Sequence, residues 1–170
     1  MGLDLFLSTL IDNIVGRAFL ILTRFWIKSA IREVASTTKI EWRQNPSVIT
    51  GLTYPNMLLP LRIVSKTNMK LTLEQIKAEV NFEGLKAGII FWFQDQDGTI
   101  EKKSDKDVII EFVPPLQVFL LNLTKCYLYN GIAKFGCSLG KVIVSFSTDS
   151  RNIDNFEQGV RIVRGLLNSK

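Results

Sequence analysis

The stretch 71-LTLEQIKAEVNF-82 decides the fold. Ile76, Ala78, Val80 and Phe82 alternate with Lys77, Glu79 and Asn81, a period of two that suits an extended strand with one buried face. Leu71 and Leu73 fall on the opposite parity. A β-bulge near Glu74-Gln75 would return both halves to a single apolar face. One such strand buries nothing alone, so further strands must lie on either side of it.

Upstream, Lys39–Arg43 (KIEWR) alternates Ile40 and Trp42 with charges and predicts a short one-sided strand. Residues 44–57 contain Asn-Pro, Gly and Pro-Asn and read as an irregular connection. Leu58–Lys66 (LLPLRIVSK) reads as a strand with Pro60 near its start or on a sheet edge. Downstream, Ala87–Gln94 (AGIIFWFQ) is apolar on both parities, which predicts a central strand or one covered on both sides. Asp97-Gly98 signals a hairpin turn into Thr99–Lys103. Val108–Val113 predicts another strand, stopped by Pro114-Pro115. Gln117–Tyr129 and Phe135–Ser147 carry long apolar runs around an Asn130-Gly131 turn. A closing helix is expected at Asn155–Asn168, with Asp154 and Glu157 as a capping box and Phe156, Val160, Val163 and Leu167 on one face. About seven strands with few helical crossovers predict a mainly β chain: an antiparallel β-sandwich of immunoglobulin or fibronectin type.

The N-terminal segment is of another kind. From Leu3 to Val34 the chain is rich in Leu, Ile, Phe and Val, holds no proline, and has Gly16 as its one glycine, so a single long helix is expected. Charges enter at Asp4, Asp12, Arg17, Arg24, Lys28 and Arg32. The polar positions as a whole recur as Asp4, Ser8/Thr9, Asp12/Asn13, Gly16/Arg17, Thr23/Arg24, Lys28 and Arg32, a spacing near four that is expected to draw a narrow polar stripe on an otherwise apolar cylinder. Leu3, Phe6, Leu7, Leu10, Ile14, Phe19, Ile21, Leu22, Phe25, Trp26 and Ile31 cover the rest of the circumference. Such a helix requires an apolar partner: lipid, another subunit, or its own domain. A helix lying in a lipid interface would snorkel its Arg and Lys and set Trp26 at headgroup depth. A spanning helix with Arg17 buried in protein is the second arrangement, and its basic C-terminal side would leave the globular part in the cytoplasm. Asp4 in place of a basic leader argues against a secretory signal, and Phe6 against myristoylation at Gly2. The expected organisation is a helix over residues 1–36, a sandwich over 37–148 and a C-terminal helix over 149–170, with Ala35-Ser-Thr-Thr38 as the joint.

The chemistry-bearing residues argue against an enzyme. The 170 residues include no histidine, which removes Ser-His-Asp and Cys-His catalysis and His-dependent metal sites. Cys126 and Cys137 form no Cys-x-x-Cys pair; across an Asn130-Gly131 hairpin they would be diagonal neighbours, too distant for a bridge, and so reduced thiols. Asp95, Asp97 and Glu101 around Gly98 lack the spacing of a calcium loop, and Gly84-Leu-Lys-Ala-Gly88 lacks that of a phosphate cradle. Glu79, Glu83 and Glu111 are the carboxylates that a glycosidase could use, although Glu79 and Glu83 fall on the solvent face of their strand. Trp26, Trp42 and Trp92 suit interface or core positions better than a ligand groove. No cofactor or metal is expected. The net charge of +5 is spread along the chain, and Lys102, Lys103 and Lys106 are interleaved with Glu101, Asp105 and Asp107. Specific nucleic-acid binding is therefore not expected, whereas mild attraction to anionic lipid is compatible.

Residues Leu61 to Gly88 resemble the late-embryogenesis-abundant, water-stress type of domain, a fibronectin-like β-sandwich. Ile63-Val64, Asn68, Leu71-Thr-Leu73, the alternation Ile76 to Phe82, Gly84 and Gly88 carry the likeness, and Asp105–Val113 suits its later strand. Thr67-Asn68-Met69 departs from the Asn-Pro-Asn often seen in that family. The resemblance implies a non-enzymatic binding or stabilising module, often behind an N-terminal membrane segment, with no catalytic residues to carry over.

The expected function is attachment. Leu10, Ile14, Phe25 and Trp26 supply burial, while Arg17, Arg24, Lys28 and Arg32 meet headgroups or acidic partner residues. The partner is a bilayer surface, or protein subunits of an assembly such as a virion or secretion machine, or further copies in a homo-oligomer. The globular part would sit on the cytoplasmic, reducing side of a membrane or within the assembly. A soluble carrier of an apolar ligand is the remaining alternative.

Overall fold

The computed structural model describes residues 2–50, 54–93 and 97–169, and for 2–9 and 50 the backbone alone. Over the described residues the chain is mainly β, with two antiparallel sheets, a long N-terminal helix and a short C-terminal one.

The first sheet has four strands built around β3 (Pro55–Ser65). Along one side of β3 lie β1 (Thr38–Trp42) and β2 (Ser47–Thr50), end to end; along the other runs β7 (Asp105–Phe112). Two expectations are corrected here. Part of the supposed irregular connection is β2, and Pro60 sits in the central strand. Pro60 is tolerated because it faces the gap between β1 and β2. Its carbonyl accepts from the Arg43 amide at 3.1 Å, so its missing N–H would have pointed into that same break.

The second sheet has six strands centred on β4 (Leu71–Phe82) and β8 (Lys125–Cys137). Outside β4 lie β5 (Leu85–Phe93) and β6 (Thr99–Ile100); outside β8 lie β9 (Gly140–Phe146) and β10 (Arg151–Asn152). The bulge expected near Glu74-Gln75 is present as a register shift against β8 between Leu73 and Gln75. Leu71, Leu73, Ile76, Val80 and Phe82 are consequently all buried.

Three expectations in this sheet fail. Asn130-Gly131 makes no hairpin. It lies inside β8 as a bulge, Asn130 in the left-handed region at φ 48°, between the pairs Lys77 with Ile132 and Glu79 with Tyr129. The β8–β9 turn falls instead between Cys137 and Gly140. Second, β5 is an outer strand with Ile89, Phe91 and Phe93 exposed, and not a strand covered on both sides. Third, β5 and β6 do not pair as a hairpin across Asp97-Gly98; both pair with β4. The Asp97 carboxylate accepts from the Thr99 amide at 2.9 Å.

Between the sheets, Met57, Leu59, Leu61 and Ile63 of β3 meet the apolar faces of β4 and β8, including Phe82, Leu128 and Phe135. Part of the apolar run read as strand from Gln117 is the short helix α2 (Leu116–Leu120), which buries Val118 and Phe119. Pro115 at its N-cap has the extended geometry that launches a helix. The C-terminal helix α3 (Phe156–Asn168) buries Phe156, Gly159 and Val163, whereas Leu167 is exposed. The expected capping box is not formed. Asn155 occupies the N-cap in a left-handed conformation without a side-chain cap bond, and Asp154 accepts instead from the Asn45 amide group at 3.1 Å. Asp154 also bridges to Ser47, and β10 pairs with β8, so the C-terminal segment is woven into both sheets.

Candidate functional site

Helix α1 runs from Gly2 to Thr37 and passes directly into β1 at Thr38. Its end is tied without a glycine. The Ser36, Thr37 and Thr38 hydroxyls donate to the carbonyls of Glu33 and Val34, and the Lys66 amide donates to the Thr37 carbonyl at 3.1 Å. Val34 is buried at 2% exposure, and Ile31 and Ala35 pack partly against the core, beside β9 and β1. The root is thus a packed junction.

N-terminal to that root, every described residue from Leu10 to Trp26 is exposed. Phe25 and Trp26 show 70% and 79% of their surfaces, Phe19 70%, and Leu10, Ile11, Ile14, Val15, Leu20, Ile21 and Leu22 are open as well. The structure therefore brings all eight expected contact residues onto one free helix: Leu10, Ile14, Arg17, Arg24, Phe25, Trp26, Lys28 and Arg32. Ile11, Val15 and Leu20 extend the apolar surface beyond those eight. Leu3, Phe6, Leu7 and Asp4 belong to the same helix, but their side chains lie outside the described residues. At 3.6 residues per turn the apolar side chains point in all directions and outline no single greasy face. The basic residues do share a side: Arg17, Arg24, Lys28 and Arg32 fall within an arc of about 80°. Among the described residues, no helix is long and apolar enough to cross a membrane.

The remaining candidates are dispersed. Glu79 pairs with Lys86 at 2.9 Å, and the hydrogen bond from Lys86 holds its carboxyl below the usual range. Glu83 accepts from Thr124 at 3.4 Å, and Glu111 lies on β7 in the other sheet, so the three carboxylates do not converge. Trp42 is core, with its indole donating to the Asp149 carbonyl at 2.7 Å, and Trp92 is half-buried; the tryptophans line no common groove. Asp97 and Glu101 are engaged with Thr99 and Lys70, while Asp95 lies outside the described residues. Cys126 and Cys137 are free thiols eleven positions apart on the same strand, a separation of roughly 35 Å. Depressions of about 690 and 720 Å³ open at the α3 N-terminus, beside Asn122, Asn155 and Arg161, and at a sheet end, beside Lys70, Lys102 and Cys137.

Sequence reasoning missed one further surface. Ile89, Phe91 and Phe93 project from β5, with the Lys77 ammonium 5.2 Å from the centre of the Phe91 ring. They alternate with half-buried Gly88 and Trp92 and buried Ile90, but the sequence held no signal of that open face, because both parities are apolar.

No protein-family model and no curated protein sequence matches the chain. Solved structures do resemble it. A Northeast Structural Genomics Consortium target, seen by X-ray diffraction, shares 12% identity over 68% of this chain and 88% of its own, at a TM-score of 0.47. A protein of Arabidopsis thaliana, solved in solution, shares 12% over 67% and 81%, at 0.46. A protein from Archaeoglobus fulgidus shares 9% over 68% and 94%, at 0.42.

Proposed function

We propose that this chain is a non-enzymatic, membrane-proximal module in which α1 holds the β-sandwich at a lipid surface. The carrying observation is the open stretch from Leu10 to Trp26 on a helix whose root is packed into the domain. A contiguous apolar surface of that size on a soluble monomer marks an interaction site. Burying one large apolar side chain contributes about 1.5–3 kcal/mol, so Leu10, Ile14, Phe25 and Trp26 together suffice for attachment. Between Leu5 and Leu22 the charged residues are Asp12 and Arg17, a density that lipid tolerates when long side chains reach the interface. The absence of histidine and the dispersed carboxylates support a non-catalytic role. On this reading the body is a water-stress type sandwich. Its supports are the Asn68 turn, the Leu71-Leu73 pair and the Gly84 hairpin. The reduced thiols suit a cytoplasmic side.

Flotation of the full-length protein with liposomes tests the attachment. Wild type should float, and the pair Phe25→Asp with Trp26→Asp should remain at the bottom of the gradient. Unchanged flotation of the pair, or failure of wild type to float, rules α1 out as a lipid anchor. In that case co-purifying subunits from the source would be the partners to seek.

A further inference from the structure

We infer that Arg24, Lys28 and Arg32 form a binding line for anionic phospholipid headgroups. This rests on the attachment reading above and names the lipid class it selects. The three residues recur at intervals of four, which stacks them on one side of α1 over about 12 Å. All three are exposed, and among the described residues none has an ion-pair partner. Asp12 and Glu33, the acidic residues of α1 whose side chains are described, project on the other side of the helix.

The order along the axis supplies the second argument. Apolar residues dominate up to Leu22; the cations then follow one per turn, with Trp26 among them. Val34, two residues after Arg32, is already inside the sandwich. The cations therefore lie between the greasy part of the helix and the folded body, at the depth where phosphates would meet them. Lys39 and Lys66 are exposed at the same root, where the Lys66 amide bonds to the Thr37 carbonyl. The acids nearby are Glu33 on α1, Glu41, which lies opposite Arg62, and Asp105, opposite Val64, so the cations outnumber them. The positive sign of this collar fits a negatively charged leaflet.

The test compares flotation of the full chain on vesicles of phosphatidylcholine alone and of phosphatidylcholine with phosphatidylserine. Each basic side chain near such a surface raises partitioning about fivefold, so Arg24→Gln, Lys28→Gln and Arg32→Gln together should weaken binding to the anionic vesicles about a hundredfold. Binding to neutral vesicles should change little. Salt at about 0.5 M should remove most of the anionic preference, the screening length falling below about 5 Å. The control Arg24→Lys with Arg32→Lys should keep it. Equal wild-type binding to both vesicles, an undiminished triple variant, or loss in the lysine control would each overturn the inference and leave attachment standing. If wild type binds neither vesicle, the attachment reading fails and this one falls with it.

Discussion

A Cβ atom placed on Gly159 would lie 2.3 Å from Cε1 of Phe119. The glycine of α3 and the aromatic ring of α2 are therefore fitted to each other, with Phe119 also stacked on Phe156 at 5.4 Å between centroids. Phe119 is buried, so its ring cannot simply swing into solvent.

Gly159→Ala should consequently destabilise the fold, even though alanine is the better helix former. The helix gains about 1 kcal/mol, while forcing a buried ring aside costs about 1–3 kcal/mol. A urea titration is expected to show a lower midpoint. A higher midpoint would mean that the ring relocates freely and that the α2–α3 contact contributes little.

Asp107 gives a pH dependence with a definite sign. It accepts from Arg62 at 2.9 Å and pairs with Arg43 at 3.0 Å, joining β3, β7 and the end of β1. The Arg62 hydrogen bond, aided by the charges of Arg43 and Arg62, holds its carboxyl below the usual range despite some desolvation. A carboxylate depressed in the folded state contributes stability above its unfolded pKa of about 3.9 and loses it as pH falls through the folded value. All three side chains are about a third or more exposed, so the effect is modest and screened by salt. The stability difference between wild type and Asp107→Asn should shrink as pH falls from about 6 to about 2. A constant difference over that range would show that the pairs are not formed in solution.

The two thiols should react unequally. Cys126 is fully buried, and burial pushes its thiol up to about 12, whereas Cys137 is half-buried beside the β8–β9 turn. Only thiolates attack disulfide reagents at useful rates. Native protein at about pH 8 should therefore show one accessible thiol, removed by Cys137→Ser, and a second only in denaturant. Two native thiols of equal rate would place Cys126 at the surface.

The helix itself should divide into a part that stabilises the fold and a part that does not. Val34→Asp buries an unpaired carboxylate at the root and should cost about 3 kcal/mol or more. Phe25→Asp with Trp26→Asp, on exposed positions, should shift stability in aqueous buffer by no more than about 0.5 kcal/mol each. Thermal melts of both variants check this. A large loss in the Phe25/Trp26 pair would mean that the helix folds back on the sandwich.

The open stretch of α1 was legible in the linear chain because a proline-free apolar run is a local property, and among the described residues nothing later in the chain covers Leu10 to Trp26. The strand character of 71–82 and its bulge were legible for the same reason: parity reports which face is buried, and Glu74-Gln75 is where parity slips. The arc shared by Arg17, Arg24, Lys28 and Arg32 could also be drawn from spacing.

What only the folded molecule decided is which strands neighbour one another. Asn130-Gly131 suits a two-residue turn and a bulge equally well, since both need a residue that accepts a left-handed backbone. The choice went to the bulge because Asn130-Gly131 lies opposite Lys77–Glu79 of β4, about fifty residues earlier. Ile89–Phe93 looked enclosed because its composition is that of a covered strand, yet β4 has β8 on its other side and β5 was left outermost. Pro60 looked like an edge residue, and it became central because β1 and β2 part at its position. Periodicity is written along the chain, whereas pairing is settled by contacts between distant segments; the one could be read directly, and the other had to be seen.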